Sequence, residues 1–182
     1  MKIGSVINVL RKTQCKIYRK GEIVIDKGET DATVVFIRKG LIRSFIQDDE
    51  KNDRITFQLY PEYQLAVNLH AILFQEPSKF TYQALEDTKT YQIDYHYWMQ
   101  MASNNAGLFE LNRNYMGRNV MKKAFQRAES FVFLSPEERY LNYIRAHPNL
   151  VNRVPDKYIA HVLGITPVSL SRIRHRIVAK KE

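Results

Sequence analysis

Asp156-Lys157-Tyr158-Ile159-Ala160-His161-Val162-Leu163-Gly164-Ile165-Thr166-Pro167 is the stretch on which the reading of this chain turns. Ile159, Val162 and Leu163 share one face of a short helix, and Gly164 supplies the left-handed backbone that helix exits favour. Thr166 suits an N-cap and Pro167 a first helical position, so a second helix begins after a turn of about three residues. There Leu170, Ile173 and Ile177 recur at i, i+3 and i+7 as a buried face, leaving Ser169, Arg172 and Arg176 on the open side.

A helix that is polar and basic on its open side fits the DNA major groove, where arginine bonds guanine O6 and N7 together and serine or threonine bonds phosphate or base edges. Arg172 is the expected base reader, with Thr166 and Ser169 beside it, while Arg174, His175 and Arg176 are expected in solvent or on phosphate. Lys157 lies near the start of the preceding helix, where the positive end of the dipole also favours a phosphate. A plain helical hairpin with a basic exterior would show the same spacing. Charge distribution weighs against it. The chain has 182 residues and a net charge of +9; residues 1–111 hold 14 Lys/Arg and 14 Asp/Glu, whereas residues 112–182 hold 14 Lys/Arg against five acids. The whole excess is C-terminal, which points to a polyanion, because neutralised phosphates release counterions and supply most non-specific affinity.

Working back along the chain, Leu134-Ser135-Pro136-Glu137-Glu138 announces another helix: Ser135 caps it and Glu138 reaches back to the cap. It is expected to run to His147, with Leu141 and Ile144 as its apolar edge and Pro148 beyond. From Tyr97 to Glu129 there is no proline and only Gly107 and Gly117. Leu108, Leu111 and Tyr115 form one apolar stripe and Met121, Phe125 and Ala128 another, which predicts one long helix with two contacts, its own β-domain and a partner copy, although a helix buried between domains would show the same stripes. Between Gly21 and Asp94, short β-branched and aromatic runs such as Thr33–Ile37, Leu41–Phe45 and Thr90–Ile93 are broken by Lys27-Gly28, Lys39-Gly40 and Asp48-Asp49. That pattern predicts an antiparallel sandwich or small barrel, with Tyr63 to Phe74 as a helical interruption.

Cys15 is the only cysteine and the five histidines are scattered, so no disulfide, zinc or iron–sulfur site is expected and no metal or other cofactor is assigned. No apolar run approaches the roughly 20 residues that span a bilayer. The start, Met1-Lys2-Ile3-Gly4-Ser5, does not read as a signal peptide, so a cytoplasmic location is expected.

Three stretches carry a resemblance over nearly the whole chain: Gly164-Ile165-Thr166 to Arg172, Lys39-Gly40-Leu41-Ile42-Arg43, and Pro77-Ser78-Lys79 through Gln83-Ala84-Leu85-Glu86-Asp87. They resemble the Crp/Fnr family of transcription regulators. The resemblance implies an α+β fold: an antiparallel, jelly-roll-like β-roll sensor domain of the cyclic-nucleotide-binding type, a long dimerisation helix and a C-terminal helix-turn-helix. The last is winged-helix-like with its C-terminal wing truncated, since Val178-Ala179-Lys180-Lys181-Glu182 ends the sequence. Arg172 matches the family's base-contacting arginine.

Departures from the family's pattern refine this. Nucleotide-binding members carry Gly-Glu-Leu, whose acid holds the ribose, and a later arginine that meets the cyclic phosphate. Val67-Asn68-Leu69 and Ser78 stand at those places, with Lys79 expected on the opposite face of a strand. A buried phosphate lacking its cation loses roughly 3–5 kcal/mol, so the degenerate pocket of Asn68, Leu69, Ser78 and Lys79 is not expected to take cyclic AMP. Val168 stands where many members have a base-reading glutamate; it accepts no hydrogen bond and suits a thymine methyl instead.

The resulting expectation is a homodimeric, sequence-specific DNA-binding transcription regulator and not an enzyme. Its division is a β-roll at 1–103, a dimerisation helix at 104–132 and the helix-turn-helix at 133–182. Its partners would be double-stranded operator DNA, a second copy and, as a further candidate, RNA polymerase, with the effector open. Two other readings compete. A cupin-type β-barrel enzyme needs a metal or acid/base group in the barrel, for which His70 and His96 are poorly spaced. A ligand- or protein-binding module without DNA binding would lack salt-dependent affinity for duplex DNA.

Overall fold

The structure is a computed structural model and describes residues 11–48 and 53–179; the start at Met1 to Ser5, Asp49 of the expected break and the terminal Lys180-Lys181-Glu182 lie outside the described residues. The β-branched and aromatic runs form eight strands: β1 (Gln14–Tyr18), β2 (Ile23–Ile25), β3 (Thr33–Lys39), β4 (Ile42–Asp48), β5 (Asp53–Tyr60), β6 (Leu65–Val67), β7 (Thr81–Ala84) and β8 (Thr88–Asp94). They build two antiparallel four-stranded sheets, β1-β8-β3-β6 and β2-β7-β4-β5, open rather than closed into a barrel. Ile25, Val35, Ile37, Ile42, Tyr60, Ala66 and Tyr82 fill the space between them. Each fully buried aliphatic side chain there contributes roughly 1.5–3 kcal/mol.

Two irregularities shape the strands on which the C-terminal helices rest. Gly40 turns β3 into β4 at φ +104°, and a Cβ there would run into Thr88, so both backbone and space demand glycine. In the β4–β5 pair the register slips: Ser44 faces Gln58 and Phe45 faces Thr56, leaving Phe57 as a bulge.

Two segments differ from what the sequence pattern predicts. Tyr63 to Phe74 is not a helix: Leu65, Ala66 and Val67 pair with Phe36, Val35 and Val34, and only His70–Phe74 coils, as one wide π-type turn. The long helix predicted from Tyr97 is also interrupted. A first helix, α1 (Tyr95–Ser103), is capped by Asp94. Asn105 then leaves the helical region at φ −146° and accepts hydrogen bonds from the Gly107 and Leu108 N–H groups, capping a new helix. That helix runs as α2 (Ala106–Tyr115), a π-type turn at Met116–Met121 around Gly117, and α3 (Lys122–Phe133).

The capping box at Ser135 and Glu138 forms as read, and starts α4 (Pro136–Ala146). Tyr140 is the buried side chain of α4, with Ile144 packed at the margin. After it come α5 (Asp156–Leu163) and α6 (Pro167–Ala179). These helices do not stand apart from the sheets. Tyr140, Leu150, Val154, Ile159, Ala160, Leu163, Leu170 and Ile173 share one buried cluster with Leu41 and Leu59 of the β-sandwich.

Candidate nucleic-acid interface

The α5–α6 turn is Gly164-Ile165-Thr166, with Gly164 at φ +64°. The Gly164 and Ile165 N–H groups return to the carbonyls of His161 and Ala160, which closes α5. Thr166 opens α6: its Oγ1 accepts the Ser169 N–H at 3.1 Å, and the two hydroxyls lie 2.9 Å apart. Leu170 and Ile173 are buried beneath. Arg174 donates to Asp156 at 2.7 Å and to the Tyr140 hydroxyl at 3.0 Å, tying the three helices together.

The outward side is left to Thr166, Val168, Arg172 and Arg176, all exposed. Arg176 lies 3.7 Å from Glu137, while Arg172 makes no hydrogen bond or ion pair among the described residues. Ser169 belongs to the cap and is half-buried. Lys157 is directed elsewhere: its ammonium group sits 2.7 Å from Asp53 at the start of β5. Four of the six residues expected on DNA therefore share one exposed side, although Thr166 is also the cap and Arg176 lies beside Glu137, whereas Ser169 is half-buried and Lys157 is turned to Asp53.

Lys157 belongs to a junction that sequence reasoning missed. The bulge in β5 leaves backbone groups unpaired within the sheet, and the helices take them up. The Thr56 N–H donates to His161 Nδ1 at 3.2 Å, and Arg127 donates to the Phe57 carbonyl at 2.7 Å. Arg153 holds Glu62 through both of its oxygens, at 2.9 and 3.0 Å, and Glu86 at 2.6 Å. Those bonds lower the Glu62 carboxyl to about 2 and raise the Arg153 guanidinium further. Burial lowers the His161 imidazole; Lys157 and Arg43 push it the same way and Asp53 opposes them. The Arg43 guanidinium lies buried between the rings of Phe45 and Tyr158, at 4.5 and 4.3 Å.

The pocket residues are also occupied. Asn68 is buried, donating to the Glu29 carbonyl at 3.1 Å and accepting the Ala71 N–H at 3.4 Å. The Ser78 hydroxyl donates to the Phe80 carbonyl at 2.7 Å, and its N–H donates to Glu29 at 2.8 Å. Both residues thus pin the loop between β2 and β3. Leu69 is half-buried at the start of the wide turn. Lys79 lies in the loop before β7 rather than on a strand, exposed and 3.7 Å from Glu76. Rings crowd the same region: Phe80 lies 4.7 Å from Phe57 and 5.8 Å from His70, and Tyr60 lies 5.9 Å from Tyr82. A cyclic nucleotide asks for a cation at its phosphate and an acceptor at its ribose. Ser78 carries no positive charge, and the Asn68 side-chain oxygen, although an acceptor, is buried and already taken by the Ala71 N–H, so these residues do not fit that ligand.

Among the described residues no group of three or more His, Cys, Asp or Glu is placed to hold a metal ion. Among them, too, no helix is long and apolar enough to cross a membrane.

An open two-sheet sandwich leading through a long helix to a helix pair defines a class of protein. Residues 15–105 match the cyclic nucleotide-binding domain, and the chain belongs to that family. Over nearly its whole length it shares its fold with regulators of Crp/Fnr type. FixK2 from Bradyrhizobium japonicum superposes at a TM-score of 0.77 with 15% identity, covering 93% of this chain and 86% of that one. A putative transcriptional regulator of the Crp/Fnr family from Eubacterium rectale gives 0.72 with 16% identity, covering 99% and 85%. The c-di-GMP-responsive global regulator CLP from Xanthomonas campestris gives 0.70 with 12% identity, covering 98% and 92%. No curated protein sequence matches the chain.

Proposed function

We propose that this protein is a sequence-specific DNA-binding transcription regulator of Crp/Fnr type that acts as a homodimer and is not controlled by cyclic AMP. One observation carries the reading: α6 is buried on one side while Arg172 is exposed on the other, with no hydrogen bond or ion pair among the described residues, in the part of the chain that holds all the excess positive charge. A guanidinium so placed is available for the bidentate guanine contact of a major-groove helix.

The division into a β-roll at 1–103, a dimerisation helix at 104–132 and a DNA-binding part at 133–182 belongs to the same proposal. Phe125 on α3 is 63% exposed, and Val132 and Phe133 at its end are 74% and 77% exposed. Large apolar side chains in such a row are the kind that a second copy covers. RNA polymerase and a cytoplasmic setting follow from the reading as further expectations. Cyclic AMP independence rests on the occupied Asn68 and Ser78 and on the rings packed beside them.

The test is selection and sequencing from a pool of random duplex DNA, with wild type and Arg172→Ala at two salt concentrations. A palindromic motif lost in Arg172→Ala is the expected result. Binding that is blind to sequence and indifferent to the substitution would sink the proposal.

A further inference from the structure

Within α6 the side chains divide by what already holds them. Ser169 is bound to the Thr166 cap, Arg174 to Asp156 and Tyr140, and Arg176 lies beside Glu137. Leu170 and Ile173 are buried, and Ile177 packs against the same cluster. The exposed polar side chains that make no hydrogen bond or ion pair among the described residues are Ser171, Arg172 and His175.

Helix geometry ranks these three. At 3.6 residues per turn each residue advances by about 100°. With Val168 as origin, Arg172 falls at about +40° and His175 at about −20°, whereas Ser171 falls at about −60° and Arg176 at about +80°. The buried Leu170, Ile173 and Ile177 occupy roughly 140° to 200°, so the direction opposite them lies within about 10° of Val168. His175 is therefore closer to the centre of the open side than Arg172. Ser169, at about +100°, is at its margin.

From this geometry we propose that His175 reads a base edge, completing with Val168 and Arg172 the stripe by which α6 selects its sequence; the proposal rests on the DNA-binding reading above. Along the axis His175 lies about 4.5 Å beyond Arg172, at 1.5 Å per residue. Successive bases on one strand are about 3.4 Å apart, so His175 meets the base pair next to the one Arg172 reads. An imidazole offers a ring N–H to guanine O6 or N7, and its other nitrogen accepts from an exocyclic amine of adenine or cytosine. Ser171 and Arg176, on the flanks, face the groove walls where the phosphates run. The place that spacing alone gave to Ser169 thus passes to His175.

The experiment is the same random-duplex selection at one salt concentration with wild type, Arg172→Ala, His175→Ala and Ser169→Ala, each checked for folding by thermal melting. His175→Ala is expected to relax the preference at one position adjacent to the one that Arg172→Ala relaxes. On the wild-type consensus it loses about tenfold in affinity, within the 1–3 kcal/mol of a base contact. On sites already altered at that position it loses nothing. Ser169→Ala is expected to leave the motif intact and to lower the melting temperature. A wild-type motif that His175→Ala leaves unchanged, or a uniform loss on all sequences, overturns the inference about His175 alone; a wild type that recovers no motif overturns the DNA-binding reading beneath it.

Discussion

Gly164 shows how a single residue carries both local and tertiary demands. Its φ of +64° costs a non-glycine residue about 1–2 kcal/mol, and a Cβ there would lie 2.6 Å from the Phe131 ring. Glycine is thus required by the exit from α5 and again by the seat of α3 against the turn. Gly164→Ala is expected to destabilise the protein by about 2–3 kcal/mol in urea unfolding, since backbone strain and overpacking add. Trimming the ring in Gly164→Ala/Phe131→Leu is expected to recover part of that loss relative to the two single substitutions. Strict additivity in the cycle would show that the contact with Phe131 contributes nothing to the cost.

At the scale of elements, the bulged β5 and the first helix of the pair are joined by the Lys157–Asp53 contact and by a hydrogen bond that protonation of an imidazole removes. Thr56 donates to His161 Nδ1, so the bond exists only while that nitrogen is unprotonated. Burial, with Lys157 and Arg43 adding, keeps the imidazole below its ordinary 6.5, although Asp53 opposes. The unfolded chain therefore takes up the proton first. Stability from this group is complete above pH 6.5 and falls as the pH drops toward the lower folded value. His161→Gln keeps an acceptor but does not titrate, so it is expected to lose less stability than wild type between about pH 7 and pH 5, read from urea midpoints. Equal losses would show that the slope comes from another group than His161, His147 being one that burial also holds down. Glu62 lies outside that window: its contribution is whole above 4.5 and is lost as the pH falls toward about 2.

The same two elements show what a sequence can reveal. Gly164, Thr166, Pro167 and the Leu170–Ile173–Ile177 face are legible because caps and helical stripes are written within one or two turns of chain. Thr56 and His161 lie 105 residues apart, and Arg153 lies 91 from Glu62. No local spacing announces such pairs. Ser169 misleads for a related reason: the hydroxyl of a residue at the third helical position gives no hint whether it faces solvent or its own cap. The break at Asn105 escapes the pattern because apolar stripes continue on both sides of it.

For the molecule as a whole, the question is how many units unfold. If the exposed row on α3 meets a second copy, Phe125→Glu places a charge in that interface. It is expected to convert a dimer to a monomer in sedimentation while leaving the fold's circular dichroism unchanged. Within one chain, the helix pair and the sandwich share the cluster that includes Leu41, Leu59, Ile159 and Leu170, with Arg153 bound to Glu62 and Glu86 alongside. A common core couples the two parts more strongly than surface ion pairs do, because partly exposed pairs are worth about 1 kcal/mol or less and a Leu→Ala core deletion about 2–5 kcal/mol. Calorimetry of wild type is therefore expected to show one transition, with calorimetric and van't Hoff enthalpies equal. Arg153→Ala should lower its midpoint slightly and keep it single. Leu59→Ala should lower it several-fold more, and because Leu59 belongs to the sheet but packs on the helices, sheet and helix signals should fall together. Two transitions in wild type, or a Leu59→Ala chain whose helices melt unchanged, would mean that the helix pair only rests on the sandwich, and that its orientation is free to be set by something other than this core.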